Sequence, residues 1–450
     1  MNIVIAGDGE FGISLTKLLV GKTHNIVFID SFEKKPDYII EDHSDIIAIK
    51  GSATSVKILE EANVRNADLM ISVVHDEKVN LISCLLSKNL GAKKTIARVS
   101  SLEYFQEDIL ASFKKAGVDE LVCPEMIAVD ECINLISHVV ANEVQDFSGK
   151  MLSLMMFRVE NKIEINESVF FNEDSTPKDF KIMLAKHKNS LFIPIEGDEL
   201  KKGDYFYALT KPKGKQELLD LLGLEYQELN NLMIVGGGRV GRMLASRIED
   251  KFNIRIIESN LERCNSINDM LSNTLVINGD ARNVDVLEEE NIRGMDGFIA
   301  VTDNSETNIL TCMLAKRYGV KKVIALMDNI EYIDLAQRIG IDGILNRKLI
   351  TSSYMTRFTL EADVSDIKSL IGIDAQVIEI SAKQDSYVTK KPVGKLSLPD
   401  GILIGGVIRG YESHIATNDF QIRPDDKVIV MCLPEAIIPT IKLFNKRNFF

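Results

Sequence analysis

Residues 3–12 read Ile-Val-Ile-Ala-Gly-Asp-Gly-Glu-Phe-Gly, and residues 232–241 read Leu-Met-Ile-Val-Gly-Gly-Gly-Arg-Val-Gly. In each, an apolar run of strand character feeds a G-x-G-x-x-G turn. The residues beyond have helical spacing, with Leu15, Leu18 and Leu19 on one face in the first copy. A lone G-x-G-x-x-G carries little weight, but strand, turn and helix in this order give it a mechanism. The first glycine (Gly7, Gly236) permits the tight turn. The second (Gly9, Gly238) lets the backbone approach a pyrophosphate, and the third (Gly12, Gly241) lets helix and strand pack closely. The helix start offers free N–H groups and positive dipole character to phosphate oxygens. The competing reading is a glycine turn of an α/β fold that holds no ligand.

The two copies stay in register well past the turn. Asp30 and Glu258 follow the first glycines by 23 and 22 residues. Gly51-Ser52-Ala53 matches Gly279-Asp280-Ala281, Val64-Arg65 matches Ile292-Arg293, Asp68 matches Asp296, and Asn80 matches Asn308, all at an offset of 228. Chance glycines do not hold register over such a span, so the chain is a tandem repeat. The similarity continues more weakly. Ala116-Gly117-Val118-Asp119 parallels Ile339-Gly340-Ile341-Asp342, and Gly203-Asp204-Tyr205-Phe206-Tyr207 parallels Asp425-Asp426-Lys427-Val428-Ile429.

Strand patterns at 3–6, 26–29, 46–49, 69–73 and 95–99 alternate with helical segments, among them 79–90. The second copy repeats them at 232–235, 254–257, 274–277, 297–301 and 323–326. Such alternation predicts a parallel sheet covered on both faces. A helical stripe of Val129, Ile133, Ile136 and Val140 follows, either a crossover between halves or subunits or ordinary core. Shorter alternating strands, such as 152–159 and 205–209, come next, and the last segment ends in a helix after Pro434. The fold class is α/β: two Rossmann-like, doubly wound parallel-sheet domains at 1–123 and 231–348, each followed by a small α+β domain, at 140–225 and 366–450.

With 450 residues the chain exceeds one core. A net charge of −13 argues against a nucleic-acid-binding surface. It is compatible with a soluble partner or the basic cytoplasmic rim of a membrane protein. The six cysteines include no C-x-x-C pair, and the six histidines form no ligand-spaced pair. Reduced, mostly buried thiols and no metal site are expected. The opening Met-Asn-Ile-Val-Ile-Ala-Gly reads as a strand, without the charged start and cleavage site of a signal peptide. No apolar run approaches the ~18 residues of a spanning helix.

The acidic residues Asp30 and Glu258 stand where a carboxylate accepts hydrogen bonds from ribose hydroxyls. A carboxylate there repels a 2′-phosphate, and with no Arg close behind it NAD or NADH is favoured over NADP. ADP or ATP satisfies the same contacts. The alternative is that a polar residue simply ends the strand. Val73-Val74 and Val301-Thr302 end the fourth strand beside the expected nucleotide position. The copies differ there. Ser52 stands against Asp280, and Arg98, a candidate for a phosphate, a ribose or a surface ion pair, stands against Leu326. His75, nearest the presumed site, reads as a surface loop residue. No G-x-S-x-G or H-E-x-x-H occurs, and residues 150–225 present no evident acid/base arrangement beside a nicotinamide. A regulatory nucleotide-binding protein is therefore expected rather than an enzyme, with an NAD-dependent oxidoreductase as the alternative and a scaffold with vestigial sites as the blandest reading.

The pattern resembles the tandem RCK (KTN) domain family. The residues that carry the resemblance are Gly7 to Gly12 with Asp30, Gly51-Ser52-Ala53, Asp76-Glu77 with Asn80, and Ala97-Arg98-Val99, then Gly236 to Gly241 with Glu258, Gly279-Asp280-Ala281 and Asn308. It covers essentially the whole chain. It implies small domains of the RCK C-terminal type. It also implies a cytoplasmic regulator, peripheral on the inner face of the cell membrane, that docks as a homo-oligomeric, tetrameric ring on a membrane potassium-translocating subunit of TrkH/TrkG type. Nucleotide contacts carried over by position fall on Gly7, Asp8, Gly9, Glu10, Phe11, Asp30, Val73, Val74 and Arg98. In the second copy they fall on Gly236, Gly237, Gly238, Arg239, Val240 and Glu258. Ser52, Asp280 and Thr302 complete the candidate sites, with Gly12 and Gly241. Ser52 and Leu326 depart from the fuller pattern, so the resemblance does not imply equivalent ligands at the two sites.

Overall fold

The computed structural model describes residues 1–7, 10–19, 24–31, 46–170, 178–188, 190–224, 228–359 and 364–445, without the side chains of Glu10, Lys17, Leu18 and Ser168. Compactness divides the chain into two units, Met1–Ile127 with Arg347–Glu361, and Ala128–Asn346 with Ala362–Phe450.

In the first unit, β1 (Asn2–Ala6), β2 (Asn25–Asp30), β3 (Ile46–Lys50), β4 (Leu69–Ser72), β5 (Lys94–Arg98) and β6 (Glu120–Val122) form one sheet in the order β3-β2-β1-β4-β5-β6. All five pairings are parallel, from Ile3 against Ile26 and Leu69 outward. Alternate residues feed two cores because both faces are covered. Ile3, Ile5, Phe28, Leu69 and Ile71 pack with Leu15 and Leu19 of the helix Glu10–Leu19. Val4, Ala6, Ile29 and Met70 pack with Leu59 on the other face. The helix Arg347–Thr356, which follows the second copy in sequence, belongs to this unit and lies against the helix Glu10–Leu19. Met355 is buried in the same core as Ile3, and the Lys94 ammonium sits 4.3 Å from the Phe358 ring centroid.

In the second unit, β7 (Glu143–Phe147), β8 (Leu152–Arg158), β10 (Phe180–His187), β11 (Ser190–Phe192) and β13 (Tyr205–Thr210) form an antiparallel sheet, order β11-β10-β13-β8-β7, beside the short pair β9 (Ile163–Glu164) and β12 (Glu199–Leu200). The second nucleotide-type sheet is β16-β15-β14-β17-β18-β19, with β14 (Asn231–Val235), β15 (Asn253–Glu258), β16 (Thr274–Asn278), β17 (Gly297–Ala300), β18 (Lys322–Leu326) and β19 (Gly343–Leu345). Its order and parallel pairing repeat the first. The last sheet is β20-β21-β24-β22-β23, with β20 (Val364–Ser369), β21 (Gln376–Ser381), β22 (Ile402–Arg409), β23 (Glu412–Ile415) and β24 (Lys427–Cys432). Read from its other edge, this is the order of the first small sheet.

The two small sheets share a core: Leu152, Leu154, Tyr207 and Leu209 pack with Val377, Ile429 and Met431. Gly405 and Gly406 permit the approach, since a Cβ on Gly405 would lie 2.5 Å from the Met183 methyl and one on Gly406 2.8 Å from Leu152 Cδ1. Half-buried Lys181 donates to the carbonyls of Ile404 and Ala416. Burial lowers its ammonium to about 8.

The stripe at Val129 to Val140 forms the helix Pro124–Ser137, which starts earlier than the stripe and ends before Val140. The second unit begins inside this helix at Ala128. There Asp130 pairs with Arg247, a Cβ on Gly343 would lie 3.0 Å from Leu135 Cδ1, and buried Lys322 donates to the Ala141 carbonyl. The helix is therefore a crossover: each compact unit takes up the helix that follows the sixth strand of the other copy. Both sixth strands, β6 and β19, escape the sequence patterns because three residues show no periodicity.

Candidate functional site

In each six-stranded sheet the strand order reverses between the first and fourth strands, β1 and β4 or β14 and β17. Helices leave on opposite faces there, and a crevice opens beyond the carboxyl ends of the strands. Both glycine turns lie at that point.

The second-copy crevice is described in full. Gly236 has φ +102°, and a Cβ on it would lie 2.9 Å from the Thr302 backbone nitrogen. A Cβ on Gly241 would lie 2.0 Å from the Gly236 carbonyl oxygen, so the helix Arg239–Ile248 packs against the turn only with glycine there. The Gly237 N–H donates to Glu258 Oε2 at 2.8 Å, and the Asn260 N–H donates to Oε1 at 2.8 Å. Arg263 Nη1 is 3.2 Å from Oε2. Burial acts to raise the Glu258 carboxyl, but the Asn260 and Gly237 N–H groups and the Arg263 guanidinium outweigh it and hold it below the usual range. Glu258 is thus a charged acceptor at the crevice edge. Asp280 is held low by the Arg282 side chain, which binds it through Nε at 3.0 Å and Nη2 at 2.6 Å. Gly236, Gly238, Glu258, Arg263, Asp280, Arg282 and Thr302 are among the residues lining a cavity of about 360 Å³, within the usual size for a small-molecule site. Gly237, Arg239, Val240 and Gly241 do not line it; Val240 and Gly241 are buried in packing.

The first-copy crevice repeats the plan. Gly7 has φ +115°, with its would-be Cβ 2.8 Å from the Val74 nitrogen, and a Cβ on Gly12 would lie 1.9 Å from the Gly7 oxygen. Asp8 and Gly9 lie outside the described residues, and Glu10 opens the helix Glu10–Leu19. Asp30 ends β2, where its carbonyl takes the Gly51 N–H and its carboxylate a 3.4 Å bond from Ser31 Oγ. Ser52 Oγ bonds Thr54 Oγ1. Val73 is buried and Val74 half-buried. The Arg98 guanidinium stacks 4.2 Å from the Phe11 ring centroid, which joins two residues 87 positions apart at the crevice. His75 is exposed, as expected of a loop residue.

Two arginines escape the sequence reading. The expectation that no Arg stands near the acidic strand end fails in the second copy. Arg263 lies in the first turn of the helix Leu261–Met270, which starts immediately after the strand and turns its side chain back onto Glu258. Arg282, two residues past Asp280, folds back onto that carboxylate. The signal for Arg263 is its position one turn beyond the Asn260 cap, whose side chain accepts from the Arg263 N–H. All six cysteines are buried and free, and the described residues hold no cluster of three or more His, Cys, Asp or Glu placed for a metal ion.

Comparison with known proteins fits this repeated geometry. Residues 3–124 and 232–347 each match the TrkA-N domain, and residues 377–445 match the TrkA-C domain. The chain belongs to the TrkA family. Relatives in this family include the Trk system potassium uptake protein TrkA homolog 1 of Methanosarcina mazei, 32% identical over 99% of this chain and 100% of the relative. TrkA of Halomonas elongata is 31% identical over 98% of each chain. TrkA of Haemophilus influenzae is 30% identical over 100% of each. Among solved structures, the GsuK RCK domain has a TM-score of 0.59 at 16% identity, covering 98% of this chain and 94% of that one. The GsuK channel bound to NAD gives 0.58 at 16% identity, covering 98% and 78%. These likenesses establish the RCK fold for this TrkA-family chain. Residues 140–225 fall outside the TrkA-C match, yet their sheet has the same strand order as the sheet that matches. No described helix is long and apolar enough to cross a membrane.

Proposed function

We propose that the chain is the peripheral regulatory subunit of a Trk-type potassium uptake system. Adenine nucleotides, NAD or NADH and ADP or ATP, bind in the two crevices and bias the conformation of a homo-oligomeric ring. The ring, a tetramer on the cytoplasmic face, gates a membrane potassium-translocating subunit of the TrkH/TrkG type. The chain's parts are two nucleotide-binding domains, 1–123 and 231–348, and two small RCK C-terminal-type domains, 140–225 and 366–450.

One observation carries the nucleotide reading. The switch-point crevice is built twice, each time with a positive-φ glycine at the turn and a carboxylate at the end of the second strand, and in the second copy that carboxylate is held ionised by two backbone N–H groups. Such a carboxylate accepts ribose hydroxyls, while the glycine turn offers backbone N–H groups to phosphates. TrkA relatives named for potassium uptake support the transport role, and GsuK structures with NAD and with ADP on this fold support the ligand class. In the first copy Gly7 to Phe11, Asp30, Val73, Val74 and the Phe11-stacked Arg98 surround the nucleotide. In the second, Gly236 to Val240, Glu258, Asp280 and Thr302 do so, with Arg263 and Arg282 as added cations.

Thermal shift of the full chain with NAD, NADH, NADP, ADP and ATP tests the reading, because a ligand that binds only the folded state raises stability by mass action. At least one of the non-NADP ligands raises the midpoint, Asp30→Ala with Glu258→Ala removes most of the rise, and NADH is bound without being consumed. No shift from any ligand, or steady NADH oxidation, contradicts it.

A further inference from the structure

We infer that Asn80 and Asn308 are positioning residues of the two crevices: each is an amide clasp that fixes the wall under the glycine turn. This rests on the nucleotide reading above. Asn80 is 1% exposed and Asn308 0%, and both stand in the helix after the fourth strand.

Every hydrogen-bonding position of the Asn80 side chain is used. Oδ1 accepts from the Val74 N–H at 2.8 Å and from Ser72 Oγ at 2.9 Å. Nδ2 donates to the Val74 carbonyl at 2.8 Å and to the Arg98 carbonyl at 2.9 Å. Asn308 repeats the pattern. Its Oδ1 accepts from the Thr302 N–H at 3.0 Å and Thr302 Oγ1 at 2.6 Å, and its Nδ2 donates to the carbonyls of Thr302 at 2.9 Å and Leu326 at 2.8 Å. The two carbonyls and the N–H that surround the amide fix its orientation. These backbone groups sit where the fourth and fifth strands run out, and buried polar groups left there without partners are costly. Only an amide supplies two donors and a two-fold acceptor at this length; Asp lacks the donors and Ser has one.

The two copies reach the same satisfied amide by different routes. The hydroxyl that completes Oδ1 comes from Ser72 on the strand in the first copy, where residue 74 is valine. In the second copy the strand position is Ala300, and the hydroxyl has moved to Thr302 in the loop. The hydroxyl thus stands two residues apart in the two copies, and the amide oxygen is satisfied in both.

What the clasp holds is the crevice. The backbone nitrogens of Val74 and Thr302, both bound by the amides, are the atoms that a Cβ on Gly7 or Gly236 would meet at 2.8 and 2.9 Å. The clasped residue is therefore the surface on which the first glycine rests. The other arm ends on Arg98, whose guanidinium covers Phe11, or on Leu326 in the second copy. A shift of the amide moves the glycine turn and the end of the fifth strand together, and phosphate recognition by backbone N–H groups tolerates little displacement.

The test uses the full chain with Glu258→Ala to silence the second crevice, and reads ADP binding at the first by calorimetry. Ser72→Ala removes one donor to Asn80 and weakens ADP binding about three- to tenfold, the size of one neutral hydrogen bond. Adding Val74→Thr, which rebuilds the clasp in the second-copy form, restores it. Asn80→Asp abolishes binding at the first crevice, and Asn308→Asp, in a chain with Asp30→Ala, does so at the second. Should the Asp variants fail to fold, the Ser72→Ala and Val74→Thr pair carries the test. Variants that lower the thermal midpoint while leaving ADP affinity unchanged, or a double variant that does not recover, overturn the positioning role. Hydrogen exchange at the Val74 amide reads the clasp without nucleotide: protected in the natural chain, faster with Ser72→Ala, protected again with Val74→Thr. If the natural chain binds no adenine nucleotide but exchange follows this course, the nucleotide reading falls and the clasp on the turn stands. If exchange is indifferent to both changes, the clasp falls.

Discussion

Glu258 and Asp30 end equivalent strands, β15 and β2. Glu258 is almost fully buried and takes N–H groups from Gly237 and Asn260. Glu258→Ala leaves two N–H groups without their acceptor, which costs about 1–3 kcal/mol of stability in addition to nucleotide affinity; the denaturation midpoint of the variant against that of the natural chain checks this, and it falls. Gly241→Ala places a methyl 2.0 Å from the Gly236 oxygen, a backbone clash that no rotamer relieves. It lowers the stability of the second unit by about 1–3 kcal/mol or more and displaces the turn. Both results are read by thermal denaturation with and without ADP. The glycines and acidic residues were legible in the sequence because their spacing is set by backbone geometry. Arg263 and the clasp of Asn80 were not, because they depend on where the next helix turns its side chains. Asn80 and Asn308 stood out only as a repeated pair, and their role needs the ends of two strands brought together.

At the scale of elements, the long strands and the helix after the fourth strand were legible from alternation and apolar spacing. The two three-residue sixth strands were not, and neither was the choice between crossover and core for the stripe at Val129, since a buried face looks the same in sequence whichever copy it packs on. The helix Arg347–Thr356 settles the matter for the first unit, because Met355 is 1% exposed in the core of Ile3 and Leu15. Met355→Ala is expected to cost about 2–5 kcal/mol there. Hydrogen exchange then speeds up in β1, more than 340 residues earlier in the chain, while β14 is unchanged; the reverse pattern contradicts the crossover. The helix Pro124–Ser137 carries a second test. Burial raises the Glu131 carboxyl to about 8, with Lys368 opposing and Glu143 and Asp146 adding. The unfolded chain releases that proton near 4.5, the ordinary value, so between about 4.5 and 8 the folded chain binds the extra proton and stability falls as pH rises. Glu131→Gln removes this dependence and flattens the fall in denaturation midpoint between pH 5 and 8. An unaltered slope sinks the assignment.

At the scale of the molecule, the tandem plan was legible because the repeat holds register, and the family relationship agrees with it over both nucleotide-type sheets. The shared core of the two small sheets was not, since the glycine pair Gly405-Gly406 has no meaning until Met183 and Leu152 lie above it. A nucleotide gates transport only if it binds one conformation more tightly, by about 5.5 kcal/mol to turn a 1:99 equilibrium into 99:1. The direct measurement is potassium flux through the reconstituted membrane subunit with this chain added, in the presence and absence of NADH, NAD, ATP and ADP. Flux is expected to depend on the nucleotide supplied, and Asp30→Ala with Glu258→Ala to abolish the dependence while the chain still binds the membrane subunit. Flux that is the same with and without every nucleotide, or nucleotide dependence that survives both substitutions, contradicts gating through these crevices.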